Sequence, residues 1–326
     1  MKKTLRTALR FALLLPACLL LQAHAAEGDG YPTKPVRLVS PFAAGGSNDT
    51  VARLVAIEVA RNLKQQIIVE NRPGAGGVTG TDYVAKAPAD GYTLLSGGMG
   101  SLTVGPSLRK LPYNTLTDFV PVAMIGRVPH VLASHPSLPA SSMKEFIALA
   151  RNNPGKLHYS SGGVGSFNHL AGELIASMTK TQLVHVSYRG GAPAAIDLLA
   201  GQVELSVTAL NVALPHLRSK RLRALGQTGA TRSSMLPDVP SIADTVPGYD
   251  VTPWYGILAP ANTPASVVGR LEREFLSVLR RPDIQQNFIA QGAEPAGLTS
   301  AQYRELLQSD LQRWKKIVTD AGIKLN

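Results

Sequence analysis

Three glycine- and hydroxyl-rich segments have the composition of an anion-binding site. They are residues 41–50, 160–166 and 188–193, and each follows an apolar run and precedes a helix start. Glycine tolerates positive φ angles and lets a ligand approach the main chain. Unpaired N–H groups and the helix dipole at such a start attract negative charge. One such segment would most simply be a connection, but three favour a shared ligand cleft.

No motif in the sequence indicates a reaction or a cofactor. Residues 74–80 miss the dinucleotide pattern G-x-G-x-x-G by one place, and neither G-K-[ST] after a glycine run nor G-x-S-x-G occurs. His130 and His135 are five residues apart, and the sequence contains no H-E-x-x-H motif. We therefore expect no metal site. Asp49 lies near a predicted helix start, where an acidic residue usually serves as a cap or as a first-turn acid. No turn contains two carboxylates that could act together as a general acid and a general base. We therefore predict no catalytic residue, no metal and no cofactor.

Alternating strands and helices must position these turns. The strand candidates are residues 36–39, 67–69, 92–95, 157–159, 184–186 and 203–207. The helix candidates are residues 51–59, 78–86, 143–150, 166–178, 193–200, 268–279 and 303–318. This order is typical of parallel sheets with right-handed crossovers. Ligands bind such sheets at the carboxyl ends of the strands, where all three turns lie.

Helix starts and two long apolar stretches complete the organisation of the chain. Ser142 and Thr299 each open a predicted capping box, and Thr263 precedes a proline as an N-cap would. Residues 120–133 and 251–259 are apolar. We interpret them as a pair of strands that cross between two α/β lobes.

The composition excludes several classes of protein. The 326 residues have room for roughly two domains. Because 44% of them are hydrophobic and 17% charged, a disordered, a collagen-like and a polytopic membrane protein are excluded. A single cysteine excludes a disulfide framework and a thiolate metal cluster.

Residues 1–25 have the layout of a secretory signal peptide. Four basic residues precede an apolar run over residues 11–21, which is too short for a spanning helix, and the small-residue site at residues 23–25 follows. We expect cleavage after Ala25, with lipidation of Cys18 as the alternative. Cleavage would lower the net charge from +11 to +7, because 29 basic and 22 acidic residues would remain.

The densest remaining basic cluster comprises Arg218, Lys220, Arg221 and Arg223. No aromatic residues interleave it, as a base-stacking surface would require, and an exported protein rarely meets nucleic acid. We interpret the cluster as a solvated turn and expect no nucleic-acid partner.

Eight segments together resemble one known family. They are residues 41–49, 71–77, 89–95, 118–122, 153–157, 160–170, 185–195 and 254–260. Their order closely resembles that of the Bug family, the extracytoplasmic solute receptors of tripartite tricarboxylate transporters. The resemblance covers the whole chain after the signal peptide.

This resemblance implies an α/β, two-lobed fold like that of type II periplasmic binding proteins. Lobe 1 would comprise residues 26–127 and 250–326, and lobe 2 residues 128–249, with two crossing hinge strands near residues 127–131 and 250–254. A small carboxylate ligand would lie in the cleft between the lobes. The receptor would be a periplasmic monomer that delivers this ligand to the membrane subunits of a tripartite transporter.

The resemblance also implies the ligand-binding residues, because in this family the first and third turns grip one carboxylate through main-chain N–H groups and ordered waters. The corresponding residues here are Phe42, Ala43, Ser47, Asp49, Ser161, Gly165, Ser166, His169, Tyr188, Gly190, Gly191 and Ala192. The family's usual proline before Tyr188 is Ser187, which restores an N–H donor. We predict that main-chain groups, and not Arg189, are the main anchor of the ligand.

Two alternative functions are left open by the residues. The same receptor could present its closed form to a membrane signalling protein instead of a transporter. A periplasmic hydrolase using Ser166 and His169 would need the two side chains within hydrogen-bond reach, and no third orienting group is evident.

Overall fold

The structure, a computed structural model, describes residues 30–323, so the predicted signal peptide lies outside the described residues. The strands are β1 (Val36–Ser40), β2 (Ile67–Asn71), β3 (Thr93–Gly98), β4 (Phe119–Arg127), β5 (His130–Ser134), β6 (Leu157–Ser161), β7 (Leu183–Ser187), β8 (Leu205–Ala209), β9 (Arg223–Gln227), β10 (Trp254–Pro260) and β11 (Glu294–Leu298). The helices are α1 (Ser47–Leu63), α2 (Val78–Ala85), α3 (Gly105–Leu108), α4 (Met143–Asn152), α5 (Phe167–Thr179), α6 (Gly191–Leu199), α7 (Leu210–Arg218), α8 (Ala265–Leu279), α9 (Pro282–Ala290) and α10 (Ser300–Asp320).

Two sheets organise these elements. The first has the strand order β11-β4-β10-β3-β1-β2, and the second has the order β7-β6-β8-β5-β9. In the first sheet β1 pairs in parallel with β2 and β3, and in the second β6 pairs in parallel with β7 and β8. The predicted α/β class is therefore confirmed, with antiparallel strands added to each parallel core. We call the elements around the first sheet lobe 1 and those around the second lobe 2.

The chain passes between the sheets twice, and the two passages lie side by side. β4 ends at Arg127 in the first sheet, while β5 begins in the second. The return runs from β9 to β10. Val128 N–H donates to the Pro253 carbonyl (3.2 Å), and Val251 N–H donates to the Thr228 carbonyl (2.8 Å). Residues 120–133 are thus two strands in different sheets, joined at the crossing, while the lobe boundaries themselves remain predictions.

The long helix α10 braces the return passage. Tyr303, Leu307, Trp314 and Val318 form its buried stripe, as its helical spacing predicts. Asp310 is also buried on this face, and the Trp254 indole N–H donates to its carboxylate (2.6 Å). A buried carboxylate needs such a partner, since leaving it unpaired would carry a large desolvation cost.

Two of the predicted helix starts differ in detail. The Ser142 hydroxyl accepts a bond from the Glu145 N–H, but the Glu145 carboxylate accepts from Ser141, one residue before the cap, so the capping box is only half formed. Pro264, and not Thr263, is the N-cap of α8; the Thr263 hydroxyl instead donates to the Pro260 carbonyl (2.8 Å). The Thr299 box forms in full.

The basic cluster is not wholly a solvated turn. Arg218 ends α7, whereas Arg223 begins β9, where its half-buried guanidinium donates to the carbonyls of Leu138 (3.3 Å) and Ala140 (2.8 Å). Arg223 therefore has a structural role. Among residues 30–323, no helix combines the length and the apolar character that crossing a membrane requires.

Candidate functional site

Four helices begin at one cleft between the two sheets. Gly46 and Ser47 contribute the start of α1, Asn168 that of α5, Gly191 that of α6 and Ala209 that of α7. The inner cleft is lined by Phe42, Gly46, Ser47, Asn48, Gly98, Met99, Gly100, His130, Ser161, Gly162, Phe167, Asn168, Gly191, Ala194, Ser206, Val207, Thr208, Ala209, Val212, Pro253 and Tyr255. First-turn N–H groups lack partners within their own helix. Leu210 N–H donates to the Pro129 carbonyl (2.7 Å) and His169 N–H to the Ser166 hydroxyl (3.4 Å), so a ligand would be bound by other N–H groups of these first turns.

The inner cleft is suited to negative charge although its lining carries no cation. Among the described residues that line it there is no Lys, Arg, Asp or Glu. The positive ends of four helix dipoles point to the same region. An anion would thus be bound by N–H and O–H donors, and not by an ion pair.

The first turn is held by Asp49 from behind the cleft. Its carboxylate accepts bonds from the Gly45 N–H (3.0 Å), the Arg53 guanidinium (3.0 Å) and the Asn71 amide (2.9 Å). Burial alone would raise the pKa of Asp49, but these donors outweigh it and lower that pKa. Asp49 therefore fixes the turn, while Ser47 Oγ lines the cleft 2.6 Å from the Tyr255 hydroxyl.

The second turn rests on a pair of histidines. Ser161 Oγ, in the inner cleft, lies 2.6 Å from Nε2 of His185, whose ring centroid is 4.1 Å from that of His169. Gly165 N–H donates to Nδ1 of His169 (3.2 Å), and the Ser166 hydroxyl caps α5. Ser166 and His169 thus bind main-chain groups, and this geometry gives no support to a Ser166–His169 nucleophile and base.

The third turn brings main chain close to the first. Gly190 has a φ angle of +143°, and a Cβ there would lie 2.9 Å from Cβ of Ala43. The Tyr188 hydroxyl donates to Asp197 (2.6 Å), and Tyr188 N–H donates to the Ser161 carbonyl (3.0 Å). The third turn is therefore held to the end of β6, next to the register pair of Ser161 and Ser187.

The predicted site residues divide into three groups. In the inner cleft lie Phe42, Ser47, Ser161 and Gly191. Tyr188 lies, with Phe42, in an adjoining outer cavity. The remaining predicted residues do not line the inner cleft and support its turns: Ala43, Asp49, Gly165, Ser166, His169, Gly190 and Ala192. Which of the twelve bind ligand stays a prediction.

Sequence reasoning missed one wall of the cleft. His130, Pro253 and Tyr255 come from the two crossing passages, and residues 206–209 come from β8. Ser206 and Thr208, two polar residues that alternate within this otherwise apolar strand, were a usable signal. The crossing residues gave none, because only the tertiary fold brings them to the cleft.

Glycine main chain forms close contacts across the cleft. A Cβ on Gly76 of lobe 1 would lie 2.5 Å from the Val164 carbonyl oxygen of lobe 2, and one on Gly100 would lie 2.8 Å from the Phe167 nitrogen. The lobes are therefore in contact, in an arrangement that side chains at these positions would prevent.

Stability should fall as the pH drops below 6.5, because three histidines are held neutral. Burial lowers the pKa of His130, His169 and His185 to about 4. Since these folded-state values are depressed, the stabilisation is present above pH 6.5 and is lost as the pH falls from there towards 4. For fully buried His130 alone, the free energy of unfolding should fall by about 1.4 kcal/mol per pH unit. Urea unfolding between about pH 7 and about pH 5 measures this slope; an unchanged slope in His130→Gln would contradict it.

Comparison with known proteins identifies the chain. The model of the family described as tripartite tricarboxylate transporter family receptor matches residues 51–323. The chain belongs to this receptor family. This family consists of solute-binding receptors.

Three solved structures are similar to the receptor. Rpa4515 of R. palustris with adipate is 36% identical, with a TM-score of 0.87, covering 90% of this chain and 99% of that one. The periplasmic binding protein BugD is 32% identical, with a TM-score of 0.86 and coverage of 90% and 99%. MatC from Rhodopseudomonas palustris with bound malate is 32% identical, with a TM-score of 0.84 and coverage of 88% and 100%. The receptor therefore has the two-lobed fold of periplasmic binding proteins.

Proposed function

We propose that this receptor binds a small carboxylate in the inner cleft and delivers it to the membrane subunits of a tripartite transporter, without catalysing a reaction. The observation that carries the proposal is the convergence of four helix starts on a cleft whose described lining has no charged side chain. Export to the periplasm, where the receptor would act as a monomer, accords with the layout of residues 1–25 and with the periplasmic relative.

A carboxylate suits this cleft better than a sugar or an amine does. Helix starts offer many donors aimed at one place, and an amine would meet the positive ends of four dipoles. A sugar needs acceptors as well as donors and is commonly stacked on aromatic rings, whereas the donors here are concentrated at the helix starts. Two similar receptors have adipate or malate bound, and both ligands are carboxylates.

Carboxylates should stabilise the receptor against thermal unfolding, whereas sugars and polyamines should not. Charge-assisted hydrogen bonds contribute roughly 1.5–3 kcal/mol each. Four of them, after ordering costs, would support micromolar binding, about −8 kcal/mol. A thermal-shift screen tests this, followed by calorimetric titration of each hit. The matched control is the neutral amide of each acid that binds. Stabilisation by the amide alone, or by sugars alone, would contradict the proposal.

A further inference from the structure

Arg109 of lobe 1 lies where the two lobes meet. It directly follows α3, and its guanidinium donates to the Ala75 carbonyl (2.8 Å). A Cβ on Gly165, in the second turn of lobe 2, would lie 3.4 Å from one nitrogen of this guanidinium, 3.7 Å from its carbon and 3.8 Å from Nε. The guanidinium of Arg109 therefore binds a turn of lobe 1 and packs against main chain of lobe 2.

The turn that Arg109 binds is one that touches the opposite lobe. Ala75 has a φ angle of +47°, which is unfavourable for a residue with a Cβ. The next residue is Gly76, whose Cβ would lie 2.5 Å from the Val164 carbonyl oxygen of lobe 2. A charge-assisted hydrogen bond to the Ala75 carbonyl therefore stabilises the backbone on which this contact between the lobes depends.

The positive charge of Arg109 has no acidic partner within residues 30–323. Its Nε atom is buried and takes part in no hydrogen bond there, and no carboxylate forms an ion pair with it. Water screens a partly buried charge much less than an exposed one. A second positive charge beside Arg109 would therefore destabilise the closed arrangement of the lobes.

His169 is placed to acquire that second charge. Its Nδ1 atom accepts a hydrogen bond from the N–H of Gly165, the residue against which Arg109 packs (3.2 Å). Only the neutral ring can accept this bond, because both ring nitrogens of a protonated histidine are donors. Protonation of His169 would thus turn the Nδ1 atom into a donor that faces the Gly165 donor, and would place a positive charge close to Arg109.

The groups around His169 favour its neutral form on balance. The His185 ring, from β7, lies 4.1 Å from the His169 ring between centroids. Glu173 opposes this effect, since its Oε1 atom lies 4.0 Å from Nε2 of His169, but the same oxygen accepts a bond from the Tyr159 hydroxyl of β6 (2.5 Å). Burial, His185 and Arg109, in that order, lower the pKa of His169 to about 4.

We propose that Arg109 is a positioning residue for ligand binding, which holds the lobes closed while His169 is neutral and releases them when His169 takes up a proton. The inference rests on the proposed function, because lobes that open also release ligand. Since the pKa of His169 is depressed from 6.5 to about 4, its neutral form favours closure above pH 6.5, and this contribution is lost as the pH falls towards 4.

Histidine NMR titration of the ligand-free receptor tests the contact itself. Arg109→Gln removes the positive charge, so the pKa of His169 should rise towards its ordinary value. The pKa of His216, in the last turn of α7, should stay unchanged and serves as the internal reference. An unchanged pKa of His169 in Arg109→Gln would overturn the proposal without reference to any ligand.

The kinetics of adipate binding test the consequence for the ligand. Arg109→Gln should speed adipate dissociation about fivefold at about pH 7.5 and leave the association rate unchanged, because the lobes close after the encounter. The control Arg280→Gln removes an exposed arginine of the same lobe and should change neither rate. Stopped-flow tryptophan fluorescence measures both rates.

A histidine variant tests the release by acid. Between about pH 7.5 and about pH 5.5, the Kd of wild type for adipate should rise about fivefold more than the Kd of His169→Asn. Asparagine keeps an acceptor for the Gly165 N–H but takes up no proton. His130, His185 and adipate itself titrate in both proteins, so the difference reports on His169 alone. Equal pH dependence of the two proteins would contradict the proposal.

The outcomes separate this inference from the proposed function. If wild type binds neither adipate nor any other carboxylate, the proposed function fails, and the NMR titration still decides whether Arg109 acts on His169. If adipate binds and dissociates from Arg109→Gln as it does from wild type, the proposed function stands and the role of Arg109 is overturned. Should Arg109→Gln not fold, the pH dependence of His169→Asn decides.

Discussion

Gly190→Val should lower ligand affinity by more than about 100-fold, which corresponds to roughly 3 kcal/mol. The φ angle of +143° is one that a β-branched residue resists. The new side chain would also be directed at Ala43, since even a Cβ would lie 2.9 Å from Cβ of Ala43 and 3.2 Å from its nitrogen. The first and third turns could then no longer meet. Arg189→Ala, by contrast, should cost about 1 kcal/mol or less, as for an exposed charge.

Calorimetric titration of both variants with one carboxylate decides between main-chain and side-chain anchoring. Gly248→Val is a suitable control, because Gly248 also has a positive φ angle (+87°) but its Cβ would make only an ordinary contact, 3.9 Å from Met178. This control separates backbone strain from loss of the site. If Arg189→Ala abolishes binding while Gly190→Val retains it, the main-chain anchor is wrong and an ion pair replaces it.

Gly76→Ala should hold the two lobes apart even when ligand is saturating. The added Cβ would lie 2.5 Å from the Val164 carbonyl oxygen and 3.1 Å from the Ser166 nitrogen, both on the opposite lobe. Because these are backbone atoms, they cannot move aside as the end of a flexible side chain can. The added Cβ should therefore block closure of the lobes. Small-angle scattering should show that ligand shrinks the radius of gyration of wild type by a hinge motion but leaves that of the variant unchanged.

Gly155→Ala is the matched control for this variant. Its φ angle of +70° is close to the +66° of Gly76, yet a Cβ there would meet nothing within 4 Å. It should therefore close with ligand as wild type does. Equal closure of Gly76→Ala and Gly155→Ala would show that the contact at Gly76 does not limit the motion.

Local patterns in the sequence predicted the elements but not all their partners. The strand and helix alternation was readable because burial on one face imposes a period on the apolar residues. The same logic found the buried stripe of α10. It missed Asp310 in that stripe, because a carboxylate becomes tolerable there only through the Trp254 indole, more than fifty residues away in the chain.

The site was predicted in the same uneven way. Glycines mark turns locally, so all three turns were found, with Ser47 and Ser161 in the cleft. Asp49 looked like a ligand contact through family resemblance, yet its carboxylate is occupied by Gly45, Arg53 and Asn71. The wall from the crossing passages was missed because nothing local distinguishes a strand end that faces a cleft from one that faces a core.

The glycine contacts between the lobes have a consequence for how ligand preference can be changed. Closure would depend on close approach of main chain at Gly76 and Gly190, whereas preference would depend on side chains that line the inner cleft, such as those of Phe42 and Ser47. Substitutions that retune the ligand then need not disturb the motion, and substitutions that disturb the motion need not alter the ligand. A redesigned receptor could accordingly keep its mechanical response while reporting on a different small molecule.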